Sequence, residues 1–118
     1  MAAVNRVVPN LDVSDLPEAV AEHQAALGLT VLMDHGWIVT LGDEEGHQLS
    51  LMTRDATGPA NPAVSIFVDD VDEALRKVQE QGLEVVHPRT DEPWGVTRFF
   101  YRDSSGNVVN VGMHTIVG

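Results

Sequence analysis

The side chains best suited to chemistry in this sequence are histidines, because an imidazole can bind a metal ion or move a proton near neutral pH. The sequence contains His23, His35, His47, His87 and His114. None of their spacings is the i, i+4 spacing of a helical metal site, nor the pairing of a hairpin site. His23 is expected to pack on a helix, and His47 and His114 to be solvated. His35 is a candidate ligand contact, and His87 opens a loop that leads to Trp94.

Asp12 is the carboxylate whose position points most directly to acid–base chemistry. It lies two residues beyond Asn10, on the predicted strand face that carries Val8. A carboxylate buried in a cavity there could act as a base with a raised pKa. Exposure near the strand end is the favoured alternative. The sequence has no Gly-rich phosphate loop, nucleophile elbow or Ser/His/Asp order, so Asp12 is the catalytic candidate among the carboxylates.

Length, charge and the absence of cysteine narrow the class of protein. The chain has 118 residues, no cysteine and a net charge of −11. These values predict one domain without disulfides or thiolate metal sites, and they disfavour nucleic acid as a partner. No apolar run approaches the ~20 residues of a membrane helix, and the first residues do not resemble a signal peptide. We therefore expect a cytoplasmic protein that binds neither nucleic acid nor membrane.

Two hairpins organise the predicted elements. Gly106-Asn107 is a turn signal between two strand-like runs, and Gly42–Gly46 joins two earlier runs in the same way. Helices are predicted between Asp15 and Gly28 and between Asp70 and Gly82, each with an aspartate N-cap. The predicted strands are Val7–Val13, Leu29–Met33, Trp37–Leu41, Gln48–Met52, Val64–Val68, Leu83–Val86, Val96–Arg102 and Val108–Met113. Asp55–Pro62 is predicted as a linker and His87–Trp94 as a loop.

The two halves of the chain repeat the same order of strand, helix and three strands. Val13-Ser-Asp-Leu-Pro-Glu-Ala matches Val68-Asp-Asp-Val-Asp-Glu-Ala at an offset of about 55 residues. One copy cannot bury both sides of its sheet, whereas two packed copies can. The sequence therefore predicts one α+β domain over 1–118, with one βαβββ module at about 4–54, a linker at 55–62 and a second module at about 63–115.

This plan resembles the vicinal oxygen chelate superfamily, which includes glyoxalases, bleomycin-resistance proteins and dioxygenases. Three sequence motifs are similar to those of the second module in this family: Val68–Ala74, Glu92-Pro-Trp-Gly95 and Asp103-Ser-Ser-Gly-Asn107. The resemblance implies that the two tandem modules form a half-open barrel around a ligand cavity. It also implies a homodimer.

Members of the family usually bind a divalent metal through His or Glu at four positions, which the resemblance maps to Val8, Ser50, Ala63 and Asn110. Valine and alanine cannot coordinate a metal, and serine and asparagine are weak donors. The resemblance therefore implies a chain without a metal or other cofactor, closest in character to metal-free bleomycin-resistance proteins. An irregular metal site that uses the histidines is the alternative.

Alternation of side chains along the strands predicts a lining of apolar and aromatic groups with a few amides and hydroxyls. The predicted lining is Val8, Asn10, Trp37, Val39, Ser50, Met52, Ala63, Ser65, Phe67, Trp94, Phe99, Tyr101 and Asn110. The face that Phe99 and Tyr101 take is left open, and simple core packing is the alternative for the aromatic residues. Such a lining suits a flat organic molecule.

Three functions follow from this lining and from the resemblance. The first is a small-molecule-binding protein that sequesters a flat aromatic drug or metabolite, as in antibiotic resistance. The second is a lactoylglutathione-lyase-like or dioxygenase-like enzyme with an atypical metal site. The third is a metal-free enzyme that uses Asp12 or a histidine as its base. The residues at the four metal positions favour the first.

Overall fold

The computed structural model describes residues 2–115, which form ten elements. The strands are β1 Val4–Asp12, β2 Thr30–Asp34, β3 Ile38–Gly42, β4 Gln48–Met52, β5 Val64–Val68, β6 Glu84–Glu92, β7 Val96–Arg102 and β8 Val108–His114. The helices are α1 Leu16–Leu27 and α2 Val71–Glu80. The order βαβββ therefore occurs twice, which confirms the predicted α+β class and the duplication.

The chain forms two compact units. One spans Val8–Asn61, and it is called the first unit below. The other contains the residues up to Val7 together with those from Pro62 onward, and it is called the second unit. The start of β1 thus belongs to the second unit, where the backbone N–H of Asp69 donates to the carbonyl of Ala3 at 3.1 Å.

In the first unit, α1 covers one face of a small sheet. Strand β4 pairs with β3 in antiparallel and with β1 in parallel orientation, and β3 pairs with β2. The apolar side chains of α1 pack on alternate residues of β3 and β4, because successive side chains of a strand point to opposite faces. The buried core consists of Leu16, Ala19, Val39, Leu41 and Leu51.

The second unit repeats this arrangement with α2. Strand β8 pairs with β5 in parallel and with β7 in antiparallel orientation, and β7 pairs with β6. The buried core beneath α2 consists of Val68, Val71, Phe99, Val109 and Val111. In each unit the helix covers one side of the sheet, and the opposite side is called the helix-free face below.

Both helices begin at an aspartate, as the sequence predicts. Asp15 and Asp70 have extended backbones, and each carboxylate accepts a hydrogen bond at 3.0 Å from the backbone N–H three residues later. These bonds satisfy backbone donors that the first helical turn leaves without partners. Gly28 ends α1 in the left-handed conformation, with φ of 68°.

Both hairpin turns are held by an aspartate too. Asp43 accepts from the N–H groups of Glu45 and His47, and Asp103 accepts from those of Ser105 and Asn107, all within 3.0 Å. Side-chain hydrogen bonds, from His47 to Asp43 and from Asn107 to Asp103, are the main reason that the pKa of each aspartate is lowered. The same aspartate-stabilised turn is therefore present in both modules, although the sequences around the two turns differ.

Two predicted irregular segments are more ordered than expected. The residues from His87 were predicted as a loop, but β6 continues to Glu92 with two register shifts around His87. Pro88 cannot donate a backbone hydrogen bond, and an edge strand with bulges is the part of a sheet that tolerates proline. The loop prediction was wrong because proline and polar residues can occupy such a strand.

Residues 55–61 of the predicted linker form an ordered loop within the first unit. The side-chain amide of Asn61 donates to the carbonyl of Thr53 at 2.7 Å and to the carboxylate of Asp12 at 2.8 Å. Asp55 is 1% exposed and accepts from the N–H and hydroxyl of Thr57. Side-chain hydrogen bonds therefore fix a segment whose composition is typical of a flexible linker.

Within the part of the chain that the structure describes, α1 and α2 are too short and too polar for either to cross a membrane.

Replacing the N-cap of α2 should destabilise the second unit. We expect Asp70→Ala to lower the free energy of unfolding by about 1 kcal/mol, because the N–H of Glu73 loses its acceptor. Asp70→Ser keeps an acceptor oxygen and should retain most of the stability. Urea denaturation of the three proteins measures this, and equal losses in both variants would contradict the role of the cap.

Candidate functional site

The helix-free face of the second unit carries most of the polar and aromatic side chains of that sheet. Along β7, Phe99 and Tyr101 pack in the core beneath α2, so Arg98 and Phe100 occupy the helix-free face. This corrects the inclusion of Phe99 and Tyr101 in the predicted lining. Phe100 pairs with Asn110 across the hairpin, whereas Phe99 pairs with the core residue Val111.

The strands align these side chains in rows across the sheet. One row runs from Ser65 through Asn110 to Phe100. The amide of Asn110 donates to the hydroxyl of Ser65 at 3.0 Å. The Oδ1 atom of Asn110 is buried and has no hydrogen-bond partner among residues 2–115. A buried acceptor of this kind carries an energetic cost unless a ligand or water donates to it.

The next row runs from Phe67 through Gly112 to Arg98. A Cβ atom at Gly112 would lie 3.4 Å from the ring of Phe67 and 3.4 Å from Val96. Glycine therefore leaves the middle of the row without a side chain, so the ring of Phe67 can lie close to the backbone of β8.

Arg98 forms a buried cluster with aromatic and acidic neighbours. Its guanidinium lies 5.0 Å from the ring centre of Trp94 and 4.7 Å from that of Phe100, within the range of cation–π attraction. It also lies 3.4 Å from a carboxylate oxygen of Glu92, and both side chains are about 95% buried. The other carboxylate oxygen of Glu92 lies 3.4 Å from the His87 ring. The charge of Arg98 is therefore balanced inside the protein.

A second cluster lies at the end of the same sheet. The ring of His114 stacks on Phe67 with centres 4.9 Å apart and planes 6° from parallel. The guanidinium of Arg6 lies 4.0 Å from the centre of the Phe67 ring and donates to Nε2 of His114 at 2.8 Å. The three side chains border a cavity of about 640 Å³, whose remaining lining is Asn5, Val68, Asp69, Thr97, Met113 and Thr115.

The surroundings of His114 favour its neutral form. Burial lowers the pKa of His114, and the nearby charge of Arg6 lowers it further. Burial also lowers the pKa of Arg6, but a guanidinium remains charged at neutral pH. Nε2 of His114 is therefore the acceptor and Arg6 the donor of their hydrogen bond.

In the first unit, several predicted residues share the helix-free face. Asn10 aligns with Ser50, and Asp12 aligns with Met52. Ser50 is buried and shares a hydrogen bond with the hydroxyl of Thr40 at 2.8 Å. Because Thr40 takes this face, its neighbour Val39 packs in the core beneath α1, which corrects the expected position of Val39.

Four of the predicted residues differ in their exposure to solvent. Val8 is buried, Ala63 is exposed, and half-buried Trp37 precedes β3. Asp12 is exposed and accepts from Asn61, which agrees with the favoured alternative to a catalytic role.

The structure gives the histidines separate surroundings. His23 bonds to the carbonyl of Ala19 on its own helix, His47 belongs to the Asp43 turn, and His35 is exposed. Among residues 2–115, no three His, Asp or Glu side chains come close enough together to hold a metal ion. The residues at the four mapped positions, Val8, Ser50, Ala63 and Asn110, do not fit a metal because two of them have no donor atom.

Comparison with models of protein families tests the family resemblance seen in the sequence. The model of the Glyoxalase/Bleomycin resistance protein/Dioxygenase superfamily matches residues 4–111. The chain belongs to this superfamily. A comparison with curated proteins gave no match.

Solved structures support the superfamily fold. NAD-dependent benzaldehyde dehydrogenase from Legionella pneumophila is 15% identical with a TM-score of 0.78, covering 92% of this chain and 99% of that one. Methylmalonyl-CoA epimerase from Mycobacterium tuberculosis is 19% identical with a TM-score of 0.71, covering 96% and 88%. A variant of homoprotocatechuate 2,3-dioxygenase from B. fuscum is 23% identical with a TM-score of 0.70, covering 98% and 34%. At these identities the likeness concerns the fold alone.

Removing the acid of the Arg98 cluster should destabilise the second unit strongly. Glu92→Gln leaves a buried guanidinium without its carboxylate, and we expect a loss of about 3 kcal/mol in unfolding free energy. The double variant Glu92→Gln/Arg98→Met should lose less than the sum of the two single variants. Urea denaturation of the four proteins measures this coupling, and strictly additive losses would contradict it.

His114 should make stability depend on pH just below neutrality. Its pKa is 6.5 in the unfolded chain and lower in the folded one, so the unfolded chain binds more protons between these values. We therefore expect stability to fall as pH decreases through this window, and less so in His114→Gln. Urea midpoints at about pH 7.5 and about pH 5.5 measure the slope. Gln79→Leu, an exposed change on α2 that removes no titratable group, is the control and should keep the wild-type slope.

Proposed function

We propose that this chain is a metal-independent binding protein that sequesters a flat organic molecule, such as an aromatic drug or metabolite, on the helix-free face of its second unit. Binding would capture the molecule without breaking a bond. The residues at the four metal positions support the absence of a metal from this function, since Val8 and Ala63 have no atom that can coordinate one.

The observation that carries the proposal is the buried Oδ1 of Asn110. This acceptor has no partner among the described residues, and Phe100 is its neighbour across the hairpin. A planar ligand with one donor group would satisfy the amide oxygen while its rings pack on the aromatic side chains of the same face. A binding protein needs only this combination of apolar contact and orienting hydrogen bond.

Elemental analysis of the purified chain, before and after incubation with Fe, Mn, Ni, Zn and Co, tests metal independence. We expect far less than one ion per chain throughout. One tightly held ion per chain would overturn this part of the proposal and favour a lyase or dioxygenase with an atypical site.

Binding itself can be tested with 2-naphthamide, a planar compound with an amide donor. We expect saturation-transfer NMR to detect it on the wild-type protein. Asn110→Leu should weaken it about tenfold, because the orienting hydrogen bond is lost. Gln79→Leu removes an exposed amide on α2 and should leave binding unchanged. Equal affinity for all three proteins would exclude Asn110 from the site.

A further inference from the structure

Arg6 differs from most of the basic residues in its electrostatic surroundings. The chain has 18 acidic and 7 basic residues. Five of the basic side chains lie beside a carboxylate: Arg76, Lys77, Arg89, Arg98 and Arg102. Arg54 instead donates to the carbonyl oxygens of Asp55 and Gly58. Within residues 2–115, Arg6 contacts neither a carboxylate nor a backbone carbonyl oxygen, although acidic residues outnumber basic ones more than twofold.

The position of Arg6 is nevertheless well defined. The Phe67 ring lies under its guanidinium, and neutral His114 accepts one of its hydrogen bonds. A guanidinium has five N–H donors, so this single bond leaves most of them available at the border of the cavity. Aromatic stacking and one neutral acceptor hold the group in place without neutralising its charge.

The acidic residue in the described lining of the cavity is engaged in another contact. The carboxylate of Asp69 accepts from the backbone N–H of Ala3 at 2.8 Å and forms no ion pair with Arg6. Arg98 lies in the same row as Phe67 but is paired with Glu92. Arg102, on the same face of β7, lies 3.8 Å from a carboxylate oxygen of Glu84. Of the three arginines associated with this face, Arg6 is therefore the one that can receive an anion.

We propose that Arg6 anchors the carboxylate of an aromatic organic acid in the cavity beside Phe67 and His114. The inference rests on the proposed function, because Phe67 and His114 of the helix-free face border this cavity and the inference names the class of molecule held there. A carboxylate matches the fork of a guanidinium and can accept two parallel hydrogen bonds from it. The cavity of about 640 Å³ has the size of a small-molecule site, and Phe67, Val68 and Met113 give it apolar walls.

An anionic ligand has to be reconciled with the negative net charge of the chain. A charge of −11 by itself favours neutral or cationic ligands through long-range steering. Salt screens such steering beyond about 10 Å, whereas a partly buried contact at Arg6 is screened much less. The guanidinium of Arg6 therefore determines which ligand is bound, and the net charge mainly affects the association rate of an anion.

A pair of matched compounds tests the anchor. 2-Naphthoate and 2-naphthamide share their ring system and differ in the charge of one group. We expect the wild-type protein to bind the naphthoate about tenfold more tightly. Arg6→Gln should reduce naphthoate binding to the level of the amide and leave amide binding unchanged. Arg6→Lys keeps the charge without the planar fork, so it should lose part of the preference. Arg76→Gln, an exposed change on α2, should have no effect.

The outcomes separate this inference from the function on which it rests. Equal binding of the two compounds to the wild-type protein, or equal loss of both in Arg6→Gln, would overturn the anchor and leave the binding function standing. Failure of both compounds to bind would overturn both. The His114 ring signal in NMR gives a second readout that needs no variant, and it should shift with naphthoate. An unchanged signal at saturating naphthoate would overturn the placement beside His114.

Discussion

The register of the β7–β8 hairpin determines which side chains the second unit can offer to a ligand. Because side chains alternate along a strand, a shift of one residue would exchange Arg98 and Phe100 for Phe99 and Tyr101. The turn that fixes this register is held by Asp103, whose carboxylate accepts from two backbone N–H groups. Exchanging Phe99 for Phe100 in the core would also bring Arg98 toward α2. Packing beneath the helix and the chemistry of the opposite face are therefore set together.

Much of the fold could be predicted because its signals are local. The aspartate caps, the two hairpin turns and the apolar spacing of the helices are each encoded within a few residues. The bounds of β4, β5 and β7 were predicted as the structure has them. The end of β6 was not, since Pro88 and its polar neighbours are typical of loops, and the pairing with β7 that makes them a strand is a tertiary effect.

The site was predicted less well, for a different reason. Ser65, Phe67 and Asn110 follow from alternation, but the face of β7 depends on counting outward from the turn, which places Phe100 rather than Phe99 opposite Asn110. Glu92 lies beside Arg98 because β6 pairs with β7 as far as Glu92 and Val96, in a segment whose residues are typical of a loop. Arg6 and His114 are 108 residues apart, so the chain alone gives no sign that they meet.

The irregular strand β6 has a consequence for how the protein behaves at high concentration. A regular edge strand presents a row of free backbone groups to which another chain can add, and that is a common route to aggregation. Pro88 removes a donor from β6, the two register shifts interrupt its repeat, and Arg89 places a charge beside them. The features that made this segment look like a loop therefore protect the edge of the sheet against intermolecular strand pairing.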